Sequence, residues 1–266
     1  MTNYTYKNHL CDVFYSYGHQ CRIFRPFPIV AFSDISLMIQ DTYRANMPVD
    51  IYLGINVSEV YPDKERFNIV YQLEQLDESV PRWTTDEYFS RLGQFNEIWE
   101  YDSGNVEFLK SRGIAVRYKP LQYAETLELA NPYAFKDIDV LFVGSINDRR
   151  KAILDKIRKL GINLLVVSSS QSPELIYNYI SRAKIILNLH YYPCNIQEQC
   201  RILPLVVNNK YVLSEPSRKN YFEGFITEME SSEMPTKISQ FLNSGSWNLP
   251  ITSSREYKKK SKYLND

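Results

Sequence analysis

Glycine is scarce in this chain, with nine residues out of 266. None of the nine forms the G-x-G-x-x-G or G-x-x-x-x-G-K pattern with which nicotinamide dehydrogenases and P-loop NTPases cradle phosphates. Both enzyme classes are therefore disfavoured. Cysteine is also sparse, and Cys11, Cys21, Cys194 and Cys200 form no C-x-x-C pair. This spacing argues against a zinc site or a thioredoxin motif and favours reduced thiols.

Long apolar runs and an excess of one charge are absent as well. No stretch of about 20 apolar residues occurs, so the sequence predicts no transmembrane helix. The polar segment Met1 to His9 lacks the apolar region of a signal peptide. Lysine plus arginine equals aspartate plus glutamate, at 31 each, so no general positive field would attract nucleic acid. We therefore expect a soluble, cytoplasmic protein without a nucleic-acid partner.

Apolar runs alternate with helix-like segments along most of the chain, which is typical of an α/β protein with parallel sheets. Hydrophobic residues make up 44% of the sequence, enough for a sizeable core. In the first half, Thr84 and Glu87 have the spacing of a helix capping box. The strands predicted there are 49–55, 67–73, 97–101 and 114–118. The helices predicted there are 6–15, 34–45, 84–92 and 103–112.

The alternation is interrupted once, between two halves of similar length. Residues 120–136 have no clear period and contain Pro120 and Pro132, so we place a linker at 122–136. The predicted domains are 1–121 and 137–250, followed by a basic helix or tail at 251–266. The second half is predicted to contain strands 138–143, 163–167, 184–189 and 210–213 and helices 148–159, 173–182 and 196–207. Pro204 lies inside the last of these helices.

The stretch from Asp139 to Arg150 has features of an anion site. An apolar run, Val140 to Val143, predicts a buried strand that ends in the small residues Gly144 and Ser145. Asn147 can cap a following helix, and Arg149 and Arg150 would lie in its first turn. The helix dipole disfavours cations at that position, and an anion bound in front of the turn would offset this cost. Backbone N–H groups and arginine side chains together could bind a diphosphate; two solvated arginines on an ordinary turn are the alternative.

Further segments extend this pattern. They read Ala183 to Tyr192, Glu198 to Ile202 and Tyr211 to Glu215. Together with the Gly-Ser-x-Asn-x-Arg-Arg turn, they resemble the nucleotide-sugar half of GT-B glycosyltransferases, most of all bacterial and viral ones. Tyr71 to Leu76 and Ile98 to Asn105 are similar to the amino-terminal half of the same family. The resemblance implies two Rossmann-like domains that face each other across a cleft, here with a shortened amino-terminal domain.

The activity implied by the resemblance is transfer of a sugar from a nucleotide-sugar donor to a hydroxyl of a glycan, a lipid-linked saccharide or a small molecule. The donor is a co-substrate, and no further cofactor is expected. The resemblance implies that Glu198 binds the ribose. The glutamate-x7-glutamate spacing of related retaining enzymes is not kept, so the stereochemistry stays open. The expected donor-binding residues are Gly144, Ser145, Asn147, Arg149, Arg150, Asn188, His190, Tyr191, Glu198, Arg201, Ser214 and Glu215.

Glu198 and Arg201 stand three positions apart, so in the predicted helix they share one face, as a surface ion pair or as part of the donor site. Three residues are candidates for catalysis. Glu74 and Asp102 each follow an apolar strand, although Glu74 could hold its loop and Asp102 could cap the next helix. His190 follows a third strand and could equally be a structural core histidine.

A metal site is not expected. Asp137-Ile138-Asp139 is a D-x-D triplet, but it precedes its strand, whereas metal-binding triplets in other glycosyltransferases follow one. Arginines and helix termini would offset the diphosphate charge instead, so we expect metal-independent transfer. The basic tail supports two interpretations, a solvated terminal helix or peripheral contact with anionic lipid. Its cations are Arg255, Lys258, Lys259, Lys260 and Lys262.

Two other functions stay open at this point. A degenerate GT-B-like protein would bind a nucleotide or a partner without turnover, and the shortened first domain favours it. A glycosyltransferase acting on modified DNA bases is the other, although the balanced charge weighs against binding a duplex.

Overall fold

The computed structural model describes residues 49–53, 61–121, 123, 127–168, 171–192, 194–248 and 256–258. Two compact units are present, and among the described residues the first ends at Leu121 and the second begins at Tyr123. The helices predicted at 6–15 and 34–45 lie outside the described residues, as do Cys11 and Cys21. Both units contain parallel sheets, so the predicted α/β class with parallel strands is confirmed.

The first unit is built on a four-stranded parallel sheet whose strands follow one another in chain order. Ile69, Val70 and Tyr71 are buried in its second strand, as the apolar run predicts. The strands are β1 (Val49–Leu53), β2 (Phe67–Gln72), β3 (Glu97–Glu100) and β4 (Arg117–Tyr118). The helices are α1 (Asp86–Leu92) and α2 (Ser103–Ser111), with a 3-10 turn at Pro81–Trp83.

The start of α1 differs from the predicted capping box. Thr85, not Thr84, is the cap, and its hydroxyl accepts a hydrogen bond from the backbone N–H of Tyr88. The Thr84 hydroxyl instead donates to the carbonyl of Val80 at 3.2 Å, which closes the preceding turn. Two adjacent threonines offer the same cap chemistry, so the sequence alone does not choose between them.

The second unit is built on five parallel strands in the order β6-β5-β7-β8-β9. The strands are β5 (Ile138–Val143), β6 (Leu164–Val167), β7 (Ala183–Asn188), β8 (Tyr211–Ser214) and β9 (Thr227–Glu228). The helices are α3 (Asp148–Arg158), α4 (Pro173–Arg182), α5 (Gln199–Val207) and α6 (Met234–Ser244). Strands β5 and β7 are buried almost throughout, which matches their unbroken apolar runs.

The strand order of the second unit reverses at β5. The chain leaves β5 for β6 on one side and then returns to β7 on the other side. In open α/β sheets, the crevice beyond the carboxyl ends of two such strands is the usual place for a ligand. The core beneath this point contains Val140, Phe142, Ile185 and Leu187 from the strands and Leu154 from α3.

The predicted helix at 196–207 begins later than expected. Residue Gln199 is the first of α5, and Glu198 is the residue before it, with no side-chain bond to the helix end. The expectation that Glu198 and Arg201 share a helical face is therefore wrong, because Glu198 precedes the first residue of α5. Pro204 lies inside α5, as predicted.

The last described residues, Glu256, Tyr257 and Lys258, form a short helical segment. Tyr257 is buried, and its ring stacks on Phe222 and meets Phe225 edge-on. The ammonium of Lys258 donates to the hydroxyl of Tyr123. The other cations of the predicted basic tail lie outside the described residues. Among the helices that the structure does describe, none is long and apolar enough to cross a membrane.

Candidate functional site

The predicted donor residues of the second unit gather at the carboxyl ends of β5, β7 and β8. Gly144 and Ser145 follow β5, and Leu189 and His190 follow β7. Ser214 ends β8 and is hydrogen-bonded to Asn188 at the end of β7, at 3.0 Å. These strands flank the reversal in strand order, so the candidate site coincides with the switch point.

The turn between β5 and α3 exposes backbone N–H groups. Gly144 has a φ of +156°, and a Cβ there would lie 3.2 Å from the Phe142 ring, so the turn favours glycine. Asn147 caps α3, and its side-chain oxygen accepts from the N–H of Arg150 at 2.9 Å. Among the described residues, no acceptor is found for the N–H groups of Asp148 and Arg149 in the first turn of α3. Such a helix start attracts anions.

Arg149 lies at the rim of this turn. Its guanidinium forms a two-pronged ion pair with the carboxylate of Glu215, in which Nη1 lies 2.9 Å from Oε2. Nη1 also donates to the carbonyl of His190 at 3.0 Å. The Arg149 side chain keeps 42% of its surface exposed, whereas that of Glu215 is 4% exposed. Glu215 therefore fixes a cation that still faces solvent.

Arg150 has a different environment from its neighbour. Its side chain is 2% exposed, and its guanidinium donates to the carbonyls of Ser145 at 2.8 Å and Leu189 at 2.5 Å. It also lies over the rings of Phe142 and Tyr191. Burial, followed by the nearby Arg201 charge, lowers the pKa of Arg150 to about 10, so the group stays charged at neutral pH. The expectation that both arginines serve only a ligand is therefore revised: Arg150 ties the turn after β5 to the end of β7.

Glu198 is the centre of a buried polar cluster. One carboxylate oxygen, Oε2, accepts from Nδ2 of Asn188 and faces Nδ1 of His190, each at 3.0 Å. Burial alone would raise the pKa of Glu198, but the bond from His190 and the charge of Arg201 outweigh it and lower the pKa to about 2. The other oxygen, Oε1, has no hydrogen-bond partner among the described residues and lies 3.9 Å from Nη2 of Arg150.

Asn188 and Arg201 complete the cluster. Asn188 is fully buried at the end of β7, and its side-chain oxygen accepts from Nη1 of Arg201 at 3.0 Å. Ser214 accepts from Asn188 and donates to the carbonyl of Glu215. Each of these residues was predicted from the sequence to belong to the donor site, and the structure brings them together. Their roles toward a ligand stay predictions.

His190 is 1% exposed, and both of its ring nitrogens have partners. Nδ1 lies 3.0 Å from Oε2 of Glu198, and Nε2 lies 3.0 Å from the carbonyl of Pro216. Burial lowers the pKa of His190, but the hydrogen bond and charge of Glu198 more than offset this effect and raise it above its ordinary value. The partner carbonyl of Pro216 was not predicted, because backbone groups leave no mark in the sequence.

Tyr191 and Ser145 lie at the surface of the same edge. Tyr191 is 38% exposed, lies next to the Arg150 guanidinium and meets Tyr192 edge-on. Its carbonyl accepts from Nδ2 of Asn147, which joins the end of β7 to the start of α3. An exposed ring beside a buried cation is a surface on which a flat or sugar-like group can stack.

Three arginines, Arg149, Arg150 and Arg201, lie at this edge. The carboxylates there are those of Glu198, Glu215 and Asp148, and Asp148 lies in the first turn of α3. Arginine side chains of this kind suit the oxygens of a diphosphate diester. Among the described residues, no group of three or more histidine, cysteine, aspartate or glutamate side chains is placed to bind a metal ion.

The D-x-D triplet lies at the opposite end of β5. Asp137 pairs with Arg182, and Asp139 pairs with Lys184 at 2.6 Å. The Asp139 carboxylate also accepts from the backbone N–H of Asn163. These bonds support the interpretation of the triplet as the entry to the strand.

In the first unit, a second group of carboxyl side chains lies at the carboxyl ends of β2 and β3. Asp102 caps α2 by accepting from the N–H of Asn105 at 3.0 Å, which is the alternative that the sequence left open. Glu100, which was not predicted, is fully buried, and burial raises its pKa well above the ordinary value, although hydrogen bonds from the Asp102 backbone and the Asn105 side chain partly offset this effect. Its Oε2 accepts from Nε2 of Gln72 at 3.0 Å.

The backbone of Glu74 is fixed by hydrogen bonds with the side chains of Gln72 and Asn105. Gln72 accepts from its N–H and donates to its carbonyl, and Asn105 donates to the same carbonyl at 2.9 Å. No hydrogen bond reaches the Glu74 carboxyl group from the part of the chain that the structure describes. Burial, partly offset by the charge of Arg82, raises the pKa of Glu74 to about 7. Gln72 and Asn105, which anchor this loop, were also missed by sequence reasoning, because buried amides carry no distinctive spacing.

Comparisons with known proteins agree with this fold. The chain is similar to the crystal structure of TarM, a glycosyltransferase of the GT-B fold, with a TM-score of 0.52 and 10% sequence identity over 80% of this chain and 51% of TarM. It is also 30% identical over 137 residues to the uncharacterized protein L138 of Acanthamoeba polyphaga mimivirus. This match covers 47% of this chain and 15% of that protein. No family model matches the chain. The chain thus has a glycosyltransferase-like fold and spans about half the length of TarM.

Proposed function

We propose that this protein is a glycosyltransferase that transfers a sugar from a nucleotide-sugar donor to a hydroxyl group of a glycan, a lipid-linked saccharide or a small molecule. One observation carries the proposal: a cluster of three arginines, helix-start N–H groups without a described acceptor, and a buried carboxylate oxygen without a described partner all lie at the switch point of the second sheet. The glycosyltransferase-like fold supports it.

The diphosphate of the donor binds at the start of α3 in this proposal. The N–H groups of Asp148 and Arg149 and the solvent-facing guanidinium of Arg149 donate to its oxygens. Arg150 stabilises the turn through its hydrogen bonds to the carbonyls of Ser145 and Leu189 and adds its positive charge. When the sugar leaves, the diphosphate gains negative charge, and these fixed donors stabilise it without having to reorient. The cluster of three arginines supports transfer without a metal ion.

Glu198 binds the ribose of the donor. Its Oε2 is already occupied by Asn188 and His190, whereas Oε1 has no partner among the described residues. A ribose hydroxyl that donates to Oε1 would give this buried oxygen a hydrogen-bond partner. A buried acceptor without a partner costs about 1–3 kcal/mol. Because the pKa of Glu198 is lowered to about 2, the group is an acceptor at every physiological pH.

Glu74 is the residue that we propose as the catalytic base for the acceptor hydroxyl. Asp102 is committed to its helix cap, and both ring nitrogens of His190 have protein partners. The Glu74 carboxyl group has neither constraint, and a pKa of about 7 suits a group that takes and releases a proton near neutral pH.

A thermal-shift screen against nucleotide sugars, with nucleosides and free sugars as controls, tests donor binding. A ligand present at 100 times its dissociation constant adds about 2.7 kcal/mol to the stability of the folded state. At least one nucleotide sugar should raise the melting temperature more than its nucleoside does. If none does, the proposal fails. Binding without product in a following transfer assay would instead support the degenerate, non-catalytic alternative.

A further inference from the structure

We propose that His190 is a doubly protonated positioning residue that fixes the Glu198 carboxylate, so that loss of one imidazole proton weakens nucleotide-sugar binding. The inference rests on the proposed function, because it assumes that Glu198 contacts the donor. It differs from the sequence-based expectation of a catalytic histidine.

The ring geometry requires two protons. The carbonyl oxygen of Pro216 can only accept, so Nε2, which lies 3.0 Å away, must carry a hydrogen. Nδ1 faces the Glu198 carboxylate at 3.0 Å, and a carboxylate with a pKa of about 2 is also only an acceptor. In a neutral ring with Nε2 protonated, the lone pair of Nδ1 would face the negative oxygen. The imidazolium form is the one that satisfies both contacts.

The surroundings of the ring favour the charged form. Two carboxylates act on it: Glu198 contacts the ring, and Glu215 accepts from the His190 backbone N–H at 2.7 Å. Two cations lie near it and oppose this effect: Arg149 donates to the His190 carbonyl, and Arg201 donates to Asn188 in the same cluster. Glu198 is the partner that contacts the ring itself, and the pKa of His190 is raised in spite of its burial.

The consequence for the donor follows from the two oxygens of Glu198. Oε2 is held between Asn188 and His190, and these contacts fix the orientation of the carboxylate that we propose to bind the ribose. Deprotonation of His190 removes one of the two bonds to Oε2 and replaces attraction by repulsion between lone pairs. The carboxylate then loses its fixed orientation, and the donor loses part of its binding energy.

The direction of the pH dependence follows from the proton that the contact with Glu198 requires. At pH values below the folded pKa of His190, the imidazolium holds Oε2 of Glu198. As the pH rises through that pKa, this bond is lost, and the carboxylate that the donor binds is no longer fixed. Donor affinity should therefore be highest in mildly acidic solution and fall on the alkaline side. Nucleotide sugars are suitable probes, because their diphosphate diester does not itself titrate near neutrality.

Calorimetric titration of the tightest-binding uridine- or guanosine-diphosphate sugar from about pH 6 to about pH 9 tests the proposal. For the wild-type protein, the dissociation constant should rise at least about fivefold over this range, a typical coupling between two sites. His190→Gln should bind more weakly at the acidic end and show little pH dependence, since an amide does not titrate. A flat wild-type profile, or a His190→Gln profile that follows the wild type, would overturn the proposal.

Nitrogen chemical shifts of the imidazole provide a second measurement that needs neither donor nor folded variant. The chain has three histidines, His9, His19 and His190. At about pH 7, the spectrum of the wild-type protein should contain one ring with both nitrogens protonated, and its titration midpoint should lie above about 6.5. If no ring behaves in this way, the proposal is wrong. If such a ring exists but no nucleotide sugar binds, the proposed function fails while the protonation state of His190 stands.

Discussion

Arg149 and Arg150 are neighbours in the chain, but their side chains have opposite surroundings. Arg149 is 42% exposed and held by one buried carboxylate, whereas Arg150 is 2% exposed and donates to two backbone carbonyls. In the proposed function, the first arrangement presents a fixed cation to the donor. The second one joins the turn after β5 to the end of β7.

Replacing Arg149 by alanine should weaken nucleotide-sugar binding. The variant loses a charge-assisted hydrogen bond to the diphosphate, worth about 1.5–3 kcal/mol, or roughly tenfold to a hundredfold in affinity. Its free energy of unfolding should also fall, because the nearly buried Glu215 carboxylate loses its ion-pair partner. The loss should be smaller than in Arg150→Ala, since the backbone N–H of His190 still donates to Glu215. Arg158→Ala is a matched control: Arg158 lies at the other end of α3, is also about half exposed and pairs with Asp155. Equal affinities of the two variants would rule out the role of Arg149.

Replacing Arg150 by alanine should instead destabilise the second unit. The carbonyls of Ser145 and Leu189 would each lose a donor inside the fold. A buried acceptor without a partner costs about 1–3 kcal/mol, so we expect a loss of about 3 kcal/mol in the free energy of unfolding. Denaturant melts of the two arginine variants measure the difference. A stability equal to that of Arg149→Ala would show that Arg150 is not structural.

Sequence reasoning at this scale placed the right side chains at one edge but could not find their partners. Asn188, Glu198 and Arg201 were expected in the donor site from the family resemblance and from their place near the carboxyl edge of the predicted sheet. The pairing of Arg149 with Glu215 spans 66 positions and depends on how β5 and β8 are spaced in the sheet. No local sequence pattern indicates a pairing between residues so far apart in the chain. The same holds for the Pro216 carbonyl behind His190.

Helix α3 is the element on which the donor proposal depends most. Its cap, Asn147, accepts from the Arg150 N–H at 2.9 Å and also donates to the carbonyl of Tyr191. The cap thus fixes both the direction of the first helical turn and its distance from the end of β7. A change in the cap should therefore affect both stability and donor binding.

The variant Asn147→Ala should lower the free energy of unfolding by about 1 kcal/mol, the usual cost of a lost cap. It should also weaken nucleotide-sugar binding several-fold, because the N–H groups of Asp148 and Arg149 lose their fixed direction. Ser172→Ala removes the equivalent cap of α4, whose bond is longer at 3.4 Å, so its cost in stability should be smaller. Donor affinity should stay at the wild-type value in this control. An affinity loss in both variants would point to a general effect of stability.

Elements were predicted well where apolar runs define them and less well at helix starts. The predicted strand at 138–143 matches β5, and the predicted helix at 173–182 matches α4. By contrast, α1 starts after Thr85 and α5 starts after Glu198. Burial of a strand is recorded in consecutive residue types, whereas the first residue of a helix depends on which of several polar side chains reaches the free N–H groups.

At the scale of the whole molecule, each unit has a parallel sheet whose carboxyl edge carries ionisable side chains. The second unit carries three arginines and Glu198 there, and the first carries Glu74, Glu100 and Asp102. In the proposed function, the arginines bind the anionic donor and Glu74 takes the proton of the acceptor hydroxyl. Sequence alternation predicted the two halves, but not the state of the buried carboxyl groups, because burial depends on the folded surroundings.

Transfer should not require a divalent metal ion. In the proposed function, Arg149 and the helix-start N–H groups offset the charge of the diphosphate, and both aspartates of the D-x-D triplet are paired with a lysine or an arginine. The rate of sugar transfer, or of donor hydrolysis if no acceptor is known, should therefore be unchanged in excess chelator. Activity that disappears with chelator and returns with magnesium or manganese would show that an ion polarises the leaving group.

Release of nucleoside diphosphate from a panel of nucleotide sugars, measured for the wild-type protein and for Glu198→Gln, tests the central claim most directly. The glutamine keeps the shape of the side chain but accepts hydroxyl protons less well, so release from the preferred donor should fall at least about tenfold, or about 1.4 kcal/mol. Glu233→Gln, an exposed residue before α6, should retain the wild-type rate. If the wild-type protein releases no nucleoside diphosphate from any donor, or if Glu198→Gln releases it at the wild-type rate, the proposed donor site is wrong.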